Sequence, residues 1–219
     1  MTALKATVRS ARVSLTSRAV ALIPPVRLRR ERELAGLSHE HRPKRILIIM
    51  GNTWITRAET SADIPAIRDI IVAAFPTPAE ADLVDALRAD PTAWIEVLSL
   101  VAADESGRPV GHALLTRCHI GDIPALCLAP CAVRPEQQRT GAGSAAVRAA
   151  LSAARSLGEH HVVVLGHPSY YPRFGFHRAS EYGIVLSIDV PDEALMALSL
   201  DAGHPLPGGT VRYAAPFGI

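Results

Sequence analysis

The stretch Arg134-Pro135-Glu136-Gln137-Gln138-Arg139-Thr140-Gly141-Ala142-Gly143-Ser144 decides how this chain is read. It lies between an apolar run and a long alanine-rich segment, so a strand, a glycine-bearing turn and a helix start follow in succession. The first N–H groups of a helix have no partner inside it, and the helix dipole adds partial positive charge at the same end. Such a turn suits an anion, above all a phosphate or pyrophosphate. On its N-terminal side, Ala125 to Val133 reads as a strand, and Pro130 within it marks an edge or a bulge. On its C-terminal side, Gly141 to Leu157 reads as a helix, with Val147, Leu151 and Ala154 on one stripe and Gly158 as its stop. Val162 to Leu165 then reads as a fully buried strand, parallel to the one before the helix.

Further upstream, Ile55 to Glu59 reads as a short strand and Thr60-Ser61-Ala62-Asp63 offers capping residues. Ile64, Ile67, Ile70, Ile71 and Ala74 recur at helical spacing, and a second helix spans Ala79 to Ala89 before Asp90-Pro91 stops it. Val97 to Ala103 and Pro109 to Arg117, joined by Asp104-Glu105-Ser106-Gly107, read as an antiparallel hairpin. Weaker strands are expected at Ile184 to Ile188, Leu195 to Leu200 and Thr210 to Tyr213.

The chain of 219 residues is 48% hydrophobic and 20% charged, enough for one domain with a real core. No apolar run approaches the roughly 18 residues of a membrane span, the longest candidate being Ile46 to Met50. The three cysteines, Cys118, Cys127 and Cys131, give no disulfide framework and suit a reducing cytoplasm, the expected location. The formal charge of +2 hides an asymmetry: residues 1–45 hold 11 Lys and Arg against 3 Asp and Glu, a net +8, which leaves −6 for the rest. Residues 1–52 are therefore set apart as a basic extension expected to be disordered. Two other readings stay open for it: an upstream extension of a frame that starts at Met50, or an Arg-rich transit peptide. A basic nucleic-acid binder driven by residues 1–45 is a further reading, which predicts salt-sensitive binding lost with that segment; the domain itself is not expected to bind nucleic acid.

Read from its residues alone, the glycine turn admits several functions. Gly141-x-Gly143-x-x-Ala146 formally fits a dinucleotide fingerprint, but about seven residues separate it from the strand end, and no acid stands at the next strand end to hold a ribose. No Gly-Lys-Ser/Thr follows, so a nucleotide-triphosphatase loop fails. A plain helix start, with small residues for close packing, remains open.

Gln138-x-x-Gly141-x-Gly143 resembles the coenzyme signature of the GNAT superfamily of N-acetyltransferases, Gln/Arg-x-x-Gly-x-Gly/Ala, and Tyr171-Pro172-Arg173-Phe174-Gly175-Phe176 is similar to the family's Tyr-x-x-x-Gly-Phe. Gly166 to Phe176 looks like a bacterial branch of predicted acetyltransferases. The likeness covers roughly residues 54–200, and it sets residues 53–219 as the domain. It implies an α/β fold, a mixed twisted sheet of six or seven strands flanked by helices, whose fourth strand is bulged at Pro130 and splays from the fifth. One departure stands out: many members have Gly where this chain has Arg139, followed by Arg, Gln or Lys where it has Thr140.

The resemblance implies acetyl-CoA as co-substrate and no metal. Its pyrophosphate falls to Gln138, Arg139, Thr140, Gly141, Ala142, Gly143 and Ser144, and its pantetheine arm to backbone groups of Cys131, Ala132 and Val133. It implies direct attack of an amine on the thioester, with Tyr171 as the acid for the departing thiolate and Tyr170 pointing elsewhere. The base stays open among His112, His119, His167, Glu136 and water. Cys127 and Cys131, four apart on one strand, are expected to share a face; neither a metal site with His119 or His167 nor an acyl-Cys131 step is favoured, for want of ligand spacing and a His/Asp partner. The acceptor is a small-molecule or peptide amine, and the protein a monomer or homodimer. The competing function is a non-catalytic acyl-CoA sensor or interaction module.

Overall fold

A computed structural model describes residues 54–219. The basic extension expected at 1–52 lies outside the described residues, as does the alternative start at Met50. Strand β1 (Ile55–Ala58) leads into a turn pinned by Asp63, whose carboxylate accepts hydrogen bonds from the Thr60 N–H at 2.8 Å and from Arg57 at 2.6 and 2.8 Å. That turn starts α1 (Ile64–Ala74), with Pro65 where a missing N–H costs nothing. Helix α2 (Ala79–Ala89) follows. Then come β2 (Ser99–Ala103), β3 (Pro109–Ile120) and β4 (Ile123–Val133), joined as antiparallel neighbours. Helix α3 (Ala142–Ser156) crosses over to β5 (His161–Leu165), which runs parallel to β4. The short β6 (His177–Arg178) and β7 (Ile184–Val185) precede β8 (Leu195–Ser199) and β9 (Gly209–Arg212).

The main sheet runs β1-β2-β3-β4-β5-β8-β6, with β9 on β3 and β7 on β9. Two apolar layers cover its faces. Helix α3 closes one, over Leu115, Leu126, Leu128, Val162 and Val164. Helices α1 and α2 close the other, over Val101, Leu114, Ile120, Cys127 and Val163, with the C-terminal Phe217 added.

Two irregularities shape the centre. First, the β3–β4 register slips between Ala113↔Cys131 and Leu115↔Leu128, so Ala129 and Pro130 together oppose Leu114. This is a bulge at Pro130, and one extra residue turns every following side chain to the other face. Cys127 thus packs on the α1–α2 side and Cys131 on the α3 side. The expectation that these cysteines share a face is wrong, because spacing by four keeps a face only in an unbroken strand. Second, β4 pairs with β5 only at Leu126↔Val162 and Cys127↔Val163. Beyond Cys127 the strands diverge, and β4 runs on to Val133 with one edge unpaired.

Candidate active site

The head of α3 stands at the mouth of that divergence. After β4, Pro135–Gln137 form a single 3-10 turn, and the chain then folds back through residues 138–141 into the helix. Two left-handed residues make the reversal, Arg139 at φ 64° and Gly141 at φ 99°. Glycine adopts that conformation freely, whereas an arginine is strained by about 1–2 kcal/mol. Among the described residues, none of the backbone N–H groups of 139–144 donates a hydrogen bond. Six donors at the positive end of a four-turn helix form a cradle of the kind that suits a phosphate.

Side chains hold the cradle in place. Gln138 Nε2 donates to the Val133 carbonyl at 3.4 Å, tying the turn to the end of β4. Thr140 Oγ1 donates to the Gln137 carbonyl at 2.6 Å, and Trp54 Nε1 donates to the Thr140 carbonyl at 3.3 Å from 86 residues away. Gly143 lies under Val133 and the Tyr170 hydroxyl; a Cβ there would stand 3.0 and 3.3 Å from them. Arg148 lies over the Phe174 ring and Arg173 over Tyr170, at 5.4 and 4.5 Å, neither with a carboxylate partner among the described residues.

The two tyrosines occupy different places. Tyr170 reaches the cradle, its hydroxyl 3.2 Å from Ser144 Oγ. Burial first, then Cys131, pushes its pKa up to about 12. Tyr171 turns inward, ring edge-on to Tyr170 at 5.1 Å and to Phe176 at 5.8 Å, with its flank against Gly166. Its phenol has no hydrogen-bond partner among the described residues, and burial, followed by Cys131 and Tyr170, holds its pKa well above the ordinary 10. Its phenol is therefore held in the protonated form.

A family model described as "Acetyltransferase (GNAT) family" matches residues 64–176. The chain is 39% identical over 163 residues to the uncharacterized N-acetyltransferase YjhQ of Escherichia coli K12, covering 71% of this chain and 89% of that one. The chain belongs to the GNAT acetyltransferase family. It is similar too to YhbS of the same organism, at 31% identity over 132 residues, covering 59% of this chain and 77% of that one. The solved structure of YhbS in complex with CoA aligns with a TM-score of 0.69 at 26% identity, covering 83% of this chain and 97% of that one. A GNAT acetyltransferase from Brucella melitensis in complex with acetyl-CoA aligns with a TM-score of 0.61 at 30% identity, covering 76% and 99%.

With the GNAT fold established, the remaining candidates can be placed. Cys131, Ala132 and Val133 lie on the part of β4 beyond its pairing with β5, and Gln138 to Ser144 form the turn beside it, so these ten candidate residues gather at one end of the sheet. The candidate bases separate. His112 is fully buried, its Nε2 2.8 Å from Ser99 Oγ; burial first, then Arg88, pushes its pKa down to about 3, so it is neutral and enclosed. His119 lies at the far end of β3, opposite Pro124 and Arg212. Glu136 is exposed on the 3-10 turn. His167 follows β5 directly, at the same end as Tyr171, and its carbonyl accepts from the Tyr170 N–H at 3.0 Å. Among the described residues, the cluster of possible metal ligands is His160, Asp201 and His204, at the opposite end of β5 and without a cysteine.

Sequence reasoning missed Trp54 and Gly166. Gly166 carried a signal, since a glycine between a buried strand and a tyrosine pair invites close approach. Trp54 carried none.

Proposed function

We propose that this enzyme transfers the acetyl group of acetyl-CoA to an amine of a small molecule or peptide by direct attack in a ternary complex. The observation that carries the reading is the coincidence of six unused N–H groups at the head of α3 with the unpaired edge of β4 beside them. The first set suits a pyrophosphate, and the second suits an amide-bearing arm that completes the sheet as a strand would. The arm of coenzyme A, so held, brings its thioester to the bulge at Ala129 and Pro130. A backbone N–H there faces the thioester oxygen as negative charge grows on it.

Each group of the chain then has one task. The cradle and β4 fix the thioester, and fixing two reactants in one cleft supplies most of the acceleration. The neutral amine attacks the carbonyl carbon, the C–N bond forms and the C–S bond breaks. The departing sulfur takes the Tyr171 proton, a step worth about 10²–10⁴-fold. The amine gives its proton to a base at this end of the cleft, where His167 is the titratable candidate whose placement fits.

The test is Tyr171→Phe. Turnover, read by release of free CoA thiol over a panel of amines, should fall at least tenfold with little change in acetyl-CoA affinity. Turnover at the wild-type rate in this variant removes Tyr171 from the mechanism. A wild-type protein that binds CoA and releases no thiol with any amine is instead a binding module.

A further inference from the structure

Two histidines follow one another at the start of β5, His160 and His161, and beyond the end of β8 the chain turns through Asp201-Ala202-Gly203-His204-Pro205. Neighbouring residues of an extended chain point to opposite sides. His161 goes inward, and its Nε2 donates to the Pro205 carbonyl at 3.1 Å, which ties the turn to β5. His160 goes outward. The antiparallel pairing of His161 with Ser199, and the Leu200 N–H donating to the His160 carbonyl at 2.8 Å, set the turn beside it.

The turn is braced from within. Asp201 Oδ1 accepts from the Gly203 N–H at 2.6 Å, and the Ser199 hydroxyl lies 2.6 and 2.7 Å from the carbonyls of Asp201 and His204. Asp201 Oδ2 is thereby turned to the Nδ1 atoms of two histidines, His204 at 2.7 Å and His160 at 3.3 Å. The two imidazole rings stack, their centroids 3.5 Å apart and their planes within 10° of parallel. Imidazoles from two distant segments of the chain thus converge on one carboxylate oxygen.

That convergence is a ligand set. One ligand atom from each of the three residues lies within 4.8 Å of the other two. A tetrahedral ion with bonds of about 2.0–2.1 Å spaces its ligands by roughly 3.4 Å, so the three close in by at most about 1.4 Å. Coordination turns the rings out of their stack, and both have room to turn, since the His160 and His204 side chains are 38% and 50% exposed. Two imidazoles with one carboxylate suit zinc and its first-row neighbours, whereas calcium and magnesium take oxygen ligands.

We propose that His160, Asp201 and His204 bind a divalent first-row ion of the zinc class, which clasps the turn after β8 to the start of β5. Tyr171 and the head of α3 lie at the other end of β5, so the ion serves the fold and takes no part in acetyl transfer. The proposal stands apart from the acetyl-CoA reading.

The test titrates the chelator-treated full-length protein with zinc chloride in a calorimeter. Zinc should bind, and Asp201→Asn, His160→Asn and His204→Asn should each weaken it at least about tenfold, the least that loss even of a supporting group costs. Zinc at a hundredfold excess over its Kd should raise the wild-type melting temperature by about 5 °C or more, and this rise should shrink in all three variants. The exposed side chains should let the metal-free variants melt close to the wild type. Cobalt is a readout that needs no variant: its visible spectrum should show nitrogen and oxygen ligation without a thiolate charge-transfer band. No zinc binding, binding undiminished in any of the three variants, or a thiolate band that moves the ion to a cysteine would overturn the assignment.

Discussion

Replacing Gly166 with alanine is a one-methyl test of how Tyr171 is positioned. Gly166 has no positive φ, so its backbone accepts alanine and the perturbation is confined to the added methyl. An added Cβ would stand 2.3 Å from Cε2 of Tyr171, 3.1 Å from Cδ2 and 3.2 Å from Cζ. Carbon contacts settle near roughly 3.5 Å, so the ring must retreat by about 1 Å. Phe176 and Tyr170 stand edge-on around it and limit the room. Overpacking of this kind costs about 1–3 kcal/mol, and a misplacement of about 1 Å at a reacting group costs about 10²-fold in rate. The turn at 139–144 is untouched. Gly166→Ala should therefore lower turnover by one to two orders of magnitude, shown by thiol release, with the CoA Kd from calorimetry held within about threefold of wild type. Full turnover in a stably folded Gly166→Ala protein would refute the argument that packing at Gly166 aims the phenol.

Gly141→Val forces a β-branched residue to φ 99° and should weaken CoA binding sharply; unchanged affinity by calorimetry places the ligand elsewhere. Arg139→Gly relieves the strain at φ 64°, offset in part by the greater freedom of glycine in the unfolded chain, and should raise stability by about 0.5–1 kcal/mol in urea melts; a loss contradicts the strained turn. His112, pushed down to about 3 by burial and then by Arg88, binds fewer protons folded than unfolded between roughly pH 3 and 6.5. Its contribution is complete above pH 6.5 and is lost as pH falls through that window, so His112→Gln should show a shallower acid decline in denaturant midpoint. Tyr171 keeps its proton because its pKa is raised, so kcat should show no alkaline decline below pH 10 traceable to it; a limb near pH 8 that vanishes in Tyr171→Phe would contradict this.

Much of this arrangement was readable beforehand, for physical reasons. The helices at Ile64–Ala74 and Ala79–Ala89 match their expected spans because apolar period and stop residues agree there. Pro130 announced the bulge because a proline inside a strand has few other uses. Local rules gave a helix start at Gly141, one residue before the observed Ala142, but not the conformation of Arg139, which glycine at that place would have signalled. The bulge was read and its consequence for Cys131 was not: the change of face follows only if parity is carried through the extra residue. His177–Arg178 was missed as a strand because two residues carry no period, and it pairs with β8 only after the chain has turned at Gly175. Trp54 over Thr140 is a tertiary fact, set by a contact far apart in sequence.

Binding of CoA by the amides at the head of α3 can be watched directly. In a 15N–1H spectrum of the full-length protein titrated with CoA, the signals of Arg139 to Ser144 and of Cys131 to Val133 should move farthest, in one saturable process. Loop signals that stay still while others respond, or a spectrum unmoved at millimolar CoA, would contradict it.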